Sequence, residues 1–176
     1  MKLLQLTSDN PKFKTLNFKD GLNIVVGTQL TDEQKKTING LGKSLSLSLI
    51  HYMFGSKFKT SSEKKLEQYL SEYGIFELSF IHNNQEYTIK KDFSKSEFYI
   101  NDEKIAKISY TSKLTEIFLG KDSEISFKQV FNCFSRRFSS EVSYYSNVLT
   151  QQGRPLEDYY QKMTNLFLLG VNLSLV

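Results

Sequence analysis

The stretch of this 176-residue chain with the most definite chemistry is Thr37-Ile38-Asn39-Gly40-Leu41-Gly42-Lys43-Ser44. Gly40 and Gly42 lack a Cβ, so the backbone can curl tightly and turn successive N–H groups toward one anion. A helix opening at Lys43 adds roughly half a positive charge at its N-terminus. In such a loop Lys43 brings a full charge to the outer phosphates of a nucleotide, and the Ser44 hydroxyl is suited to ligating Mg²⁺. Asn39, Gly40, Leu41, Gly42, Lys43, Ser44 and Leu45 are therefore the candidate nucleotide-binding residues, with Ser44 as the candidate Mg²⁺ ligand. The pattern departs from the standard phosphate loop at Thr37, where a glycine is usual. A β-branched residue held in a left-handed conformation there costs on the order of 1–2 kcal/mol. The alternative is that NGLGKS is an ordinary glycine-rich helix start.

Other reactive residue types are sparse. The single cysteine, Cys133, excludes an internal disulfide and a cysteine-rich zinc site, and it reads as a buried, inert thiol between Phe131 and Phe134. His51 and His82 leave little for a histidine-based metal centre, and His51 reads as a packed surface histidine rather than a general base. Lys57, Lys59, Lys64 and Lys65, with Arg136-Arg137, form a possible basic face for DNA, but Glu63, Glu67 and Glu72 are interleaved and favour ordinary solvated surface. Phe127, Phe131 and Phe134 recur at helical spacing, which points to core or subunit contact rather than base stacking.

The elements that must position the loop are legible in outline. Lys2 to Thr7, Lys14 to Phe18 and Leu22 to Val26 read as three strands, the last a near-continuous apolar run of the kind that fills a buried central strand. Asp20-Gly21 signals a tight turn, and Thr28 to Lys36 is polar without periodicity, hence an exposed loop. Lys43 to Phe54 reads as a helix stopped by Gly55, with Leu45, Leu49 and Phe54 on one face. Ser61-Ser62-Glu63 caps a helix over Lys64 to Tyr73, closed by Gly74. Phe76–Ile81 and Glu86–Lys91 alternate around Asn83-Asn84 and predict a β-hairpin, as do Phe98–Asn101 and Lys104–Ser109 around Asn101-Asp102. Helices are expected over Ser112–Phe118, Ser126–Arg137 and Pro155–Leu169, with Phe138–Gly153 irregular.

The order of strands, loop, helix, hairpins and helices predicts a mixed α/β fold in a single domain over 1–176. Its parts are 1–56 with strands, phosphate loop and following helix, 57–111 with a helix and hairpins, and a helical part over 112–176. The net charge of +4 permits an anionic partner without demanding one, and 39% hydrophobic residues with only two prolines exclude a disordered chain. No apolar run reaches the ~20 residues of a membrane helix, and the opening MKLLQLTSDN has no signal-peptide pattern. A soluble cytoplasmic protein is the expectation.

MKLLQLTSDNPKFKTLNFKDGLNIVVG followed by NGLGKS resembles the amino-terminal half of SMC/RecN/RecF-type ABC ATPases, in which two early strands lead into GLNxIxG and then GxNGxGKS. In the general family the glycine ending the strand is also the first of the loop. Here Gly27 ends the strand and Thr28 to Lys36 intervenes, an interruption similar to the middle component of bacterial ABC three-component systems, a proposed conflict or defence ATPase family. Members begin with an MKLLKLTSN-type strand, and the FELSF hairpin and FLLGVN near the C-terminus are also similar, so the resemblance spans nearly the whole chain. It implies a P-loop NTPase-like N-lobe of an ABC ATPase head, with a mixed sheet, β-hairpins and flanking helices.

The resemblance implies ATP and Mg²⁺ as cofactors. It implies as partners a second ATPase lobe or head, engaged as a homodimer on ATP binding, and the other subunits of a three-component system, with DNA as an open alternative. It also implies a missing C-terminal lobe: no LSGGQ-like segment exists here, LTQQG being a superficial echo, and no apolar run ends in paired acids. The chain is thus expected to be a truncated N-lobe that binds nucleotide weakly and is incomplete for hydrolysis alone. The family glutamine that senses Mg²⁺ and the γ-phosphate has Gln129 as its nearest candidate by position, with Gln151 and Gln152 behind it; a solvated helix-surface glutamine is the favoured reading of Gln129. The competing functions are a non-enzymatic interaction lobe with a degenerate phosphate loop, and a DNA-binding module.

Overall fold

The computed structural model describes residues 1–26, 43–135 and 158–173. Over these the chain is mixed α/β, with six strands and five helices: β1 Lys2–Ser8, β2 Leu16–Asn17, α1 Lys43–Met53, α2 Ser61–Tyr73, β3 Ile75–His82, β4 Gln85–Asp92, β5 Glu97–Ile100, β6 Glu103–Ile105, α3 Tyr110–Leu119, α4 Phe127–Phe134 and α5 Asp158–Leu168. The strands form one sheet in the order β2-β1-β3-β4-β5-β6. Every pairing among them is antiparallel, so the expected mixed sheet is corrected to an antiparallel one.

Turn chemistry sets the register of the hairpins. His82 pairs with Gln85 and Ile100 with Glu103, leaving two-residue loops. Asn83 and Asn84 take φ of 49° and 60°, Asn101 and Asp102 take 50° and 65°, the left-handed conformation that short amide and carboxylate side chains tolerate and two-residue hairpins require. The Asn101 side-chain oxygen accepts the Thr88 N–H at 2.9 Å and fastens the second turn to β4. With register fixed, Phe76, Leu78 and Phe80 of β3 fall on one face opposite Lys91, Ile89 and Tyr87 of β4.

That face carries the core. Leu6, Phe76, Leu78, Phe80 and Ile89 are buried together with Leu49, Tyr52, Met53 and Phe54 of the α1 region, Leu70 of α2, Tyr110 and Leu114 of α3, and Phe127 of α4. Phe54 is the hub, with ring centroids 5.1–5.9 Å from Phe80, Phe118, Phe127 and Phe131. Burial of side chains of this size contributes roughly 1.5–3 kcal/mol each.

Helix boundaries follow local chemistry closely. The cap of α2 is one residue earlier than expected: Thr60 accepts from the Glu63 N–H while the Glu63 carboxylate accepts the Thr60 N–H, and the helix starts at Ser61. At the other end Asp9 reaches from the end of β1 to accept the Ile75 N–H at 2.7 Å, and Asn10 donates to the Tyr73 carbonyl. Helix α4, Phe127–Phe134, ends sooner than expected, with Ser135 extended, and α5 is described over Asp158–Leu168; Arg136, Arg137, the expected irregular stretch over 138–153 and the expected helix start over 155–157 lie outside the described residues.

The largest correction concerns Leu22–Val26. This run forms no strand and is not buried: Leu22, Ile24 and Val26 are 87%, 72% and 69% exposed. Asn23 instead closes a short loop, its amide accepting the Lys19 N–H at 2.8 Å and donating to the Lys19 and Gly21 carbonyls. Gly21, at φ 81°, provides the bend expected at Asp20-Gly21.

Candidate phosphate-binding site

Lys43, Ser44 and Leu45 are the first three residues of α1. The first turn of a helix has backbone N–H groups with no partner inside the helix, and these point toward the incoming chain. For α1 the incoming chain is Asn39–Gly42, which lies outside the described residues. No acidic residue occupies the first turn of α1, so the helix supplies no carboxylate of its own to neutralise its positive end. The N-terminus of α2, by contrast, is satisfied by its own Thr60–Glu63 capping box.

The rest of α1 fixes that turn in place. Leu49 and Met53 are fully buried, Leu45 packs against the same core, and Gly55 at φ 85° ends the helix where it was expected to stop. The buried Tyr110 hydroxyl donates to the Met53 carbonyl at 2.5 Å, meeting one of the carbonyls that a helix end leaves open. Burial pushes the Tyr110 phenol far above its ordinary range, so it acts as a permanent donor. His51 is buried rather than on the surface, its ring 5.2 Å from that of Phe131.

Beside the first turns of α1 lies a cleft of about 700 Å³ lined by Leu3, Leu16, Phe18, Val25, Leu47 and Ile50, among others. Asn23 and Val25 of the exposed run line it, and Lys2 pairs with Asp20 at 2.6 Å at its edge. Apolar surface left in water costs roughly 25 cal/mol per Å², a cost that the exposed Leu22, Ile24 and Val26 carry here. The segment read as a buried central strand is therefore apolar as expected and lacks a covering layer among the described residues.

Gln129 is held by local work. Its Oε1 accepts from the Ser126 N–H at 2.9 Å and from the Ser126 hydroxyl at 2.8 Å, closing a capping box on α4. It is half-buried rather than a solvated helix-surface residue, and that capping role explains its position without a nucleotide. Gln151 and Gln152 lie outside the described residues. Cys133 is half-buried rather than buried, its thiol donating to the Gln129 carbonyl and its pKa raised by burial. Phe127 and Phe131 join the core while Phe134 is exposed. Lys57, Lys59, Lys64 and Lys65 are all exposed. Among the described residues no cluster of His, Cys, Asp and Glu is suited to holding a metal, and no helix is long and apolar enough to cross a membrane.

One feature went unread in the sequence. Lys91 lies on the core face of β4, opposite Phe76 and Phe98, and is buried. The signal was the alternation in EYTIKK, which puts Lys91 two residues from Ile89 and so on the same face. In comparisons with known proteins, no protein-family model matches the chain and no curated protein is significantly similar to it.

Proposed function

We propose that this chain is the nucleotide-binding lobe of an ATPase of the SMC-like ABC class, binding ATP with Mg²⁺ at the loop that precedes α1. The observation that carries the reading is that α1 is described from Lys43 and is anchored in the core by Leu49 and Met53, so the glycines of NGLGKS immediately precede that helix in the sequence. Helix N-termini fed by a glycine-rich loop hold phosphate through converging N–H groups and the helix dipole. In this reading Asn39 to Gly42 would supply backbone N–H groups to the outer phosphates, Lys43 would neutralise them, and Ser44 would hold the Mg²⁺, which would supply charge stabilisation there. Charge-assisted hydrogen bonds of this type contribute roughly 1.5–3 kcal/mol each.

The exposed Leu22–Val26 run and the cleft beside α1 support a second part of the reading. A sheet layer from a companion lobe, bringing the acidic residues that polarise water, would cover this apolar face next to the phosphate loop. Hydrolysis then belongs to the pair of lobes, and the interruption of the loop by Thr28–Lys36 favours the three-component branch of the class. Hydrogen exchange tests the location: Mg·ATP slows exchange of the amides at 43–46, and Lys43→Ala removes the effect. Unchanged exchange at saturating Mg·ATP would refute the assignment.

A further inference from the structure

Lys91 is 6% exposed, and its ammonium lies 4.4 Å from the ring centre of Phe93, 4.6 Å from that of Phe98 and 5.7 Å from that of Phe58. The rings offer their negative faces, yet an ammonium carries three N–H donors that rings satisfy poorly. Among the described residues none accepts a hydrogen bond from it and no carboxylate lies within ion-pair distance. A buried charge without a hydrogen-bonded counterion is costly, and an anionic partner in the pocket would relieve that cost.

The ammonium borders a pocket of about 330 Å³ that holds three lysines, Lys57, Lys91 and Lys107, against one carboxylate, Glu67. Small-molecule sites span roughly 300–1,000 Å³ and combine apolar walls with a few convergent polar groups. Here the walls are Phe58, Phe93, Phe98 and Tyr110. Burial lowers the Lys91 pKa to about 8, with Glu67 opposing the shift and Lys107 adding to it.

The geometry points to a binding site for a small ligand that carries an oxyanion, carboxylate or phosphate, on an apolar body: the oxyanion pairs with Lys91 inside the pocket, and the body lies against Phe58, Phe93 and Phe98. The pocket includes none of Lys43, Ser44 and Leu45, and the proposal does not depend on the nucleotide reading. Binding couples to protonation, because the ligand selects the ammonium form of Lys91. The charged and titratable groups that face it are Glu67 from α2, Lys57 from the segment between α1 and α2, Lys107 after β6, and Tyr110 from α3.

Backbone-amide NMR titrations of the full chain with benzoate and, separately, inorganic phosphate test the proposal. Saturable shifts at Phe58, Phe93 and Tyr110 are expected with at least one probe, weakened at least tenfold in Lys91→Met. Raising the pH from 7 to 9 should weaken binding about tenfold as the ammonium is lost, and the same series in Lys107→Met separates out the rim lysine. Shifts with benzoate alone assign a carboxylate on an apolar body, and shifts with phosphate assign a phosphate ligand. No saturable shift with either probe, or equal binding in Lys91→Met, overturns the proposal. The pH series uses the unmutated chain, so pH-independent binding overturns it even where Lys91→Met does not fold.

Discussion

Lys91 shows how one side chain can tax a fold at neutral pH. The unfolded chain holds the Lys91 proton up to its ordinary pKa of 10.5, whereas the folded chain releases it near 8. Between those values the unfolded state binds more protons, so folding stability attributable to this group rises with pH across that window. Below pH 8 the full penalty is present. A shift of this size corresponds to a few kcal/mol, on the order of 3. Lys91→Met should therefore be more stable than the unmutated chain at pH 7, and the gap should close as pH rises from 8 to 10.5. Urea unfolding of both proteins at pH 7, 8, 9 and 10 measures the gap. A pH-independent gap would show that Lys91 remains protonated, or solvated, in the folded chain.

At the scale of elements, hairpins and caps were the most legible features, because their chemistry is local. Asn83-Asn84 and Asn101-Asp102 had to adopt positive φ, and residues that tolerate it stand at both turns. The α2 capping box lay one residue before its expected place because the helix signal was read from Ser61-Ser62 while the Thr60 hydroxyl does the capping. Thr60→Ala should cost about 1 kcal/mol, read as a lowered urea midpoint at unchanged slope. No loss would mean that the α2 N-terminus is held by Glu63 and packing alone. The Leu22–Val26 strand was misread for a different reason. Apolar periodicity reports which residues want burial and is silent on what covers them. Ile24 is exposed, so Ile24→Lys should leave the stability of this chain within about 0.5 kcal/mol of the original. A larger loss would mean that the run packs against this chain's own core. On the proposed reading the same variant abolishes docking of a companion lobe.

For the whole molecule, the mixed α/β class was legible from the order of elements, but the pairing of the sheet was not. The early strand β1 sits between β2 and the much later β3, with Lys2 opposite Ile81 and Ser8 opposite Phe76. No local pattern specifies a pairing across so much intervening chain, since its energy comes from the shared core face of Leu6, Phe76, Leu78 and Phe80. The candidate phosphate site rests on eight residues of sequence, since glycine, lysine and serine at that spacing have a specific job, and its loop over Asn39–Gly42 lies outside the described residues. Lys91 was missed because a lysine on a strand is ordinarily read as solvated, and only the core-facing register reveals its cage. The lysines of the two proposed sites stand apart in the fold, Lys43 at the start of α1 and Lys91 in a pocket bordered by β4, β5 and α3.

The central claim is that the loop before α1 holds a nucleotide. A titration of the purified chain with a fluorescent ATP analogue in Mg²⁺, beside Lys43→Ala, tests it most directly. The account predicts saturable binding that requires Mg²⁺ and falls at least tenfold in the variant, since removing one charge-assisted contact costs roughly 1.5–3 kcal/mol. Absent binding in both proteins, or equal binding in both, would contradict it and leave a lobe whose glycine-rich helix start serves docking alone.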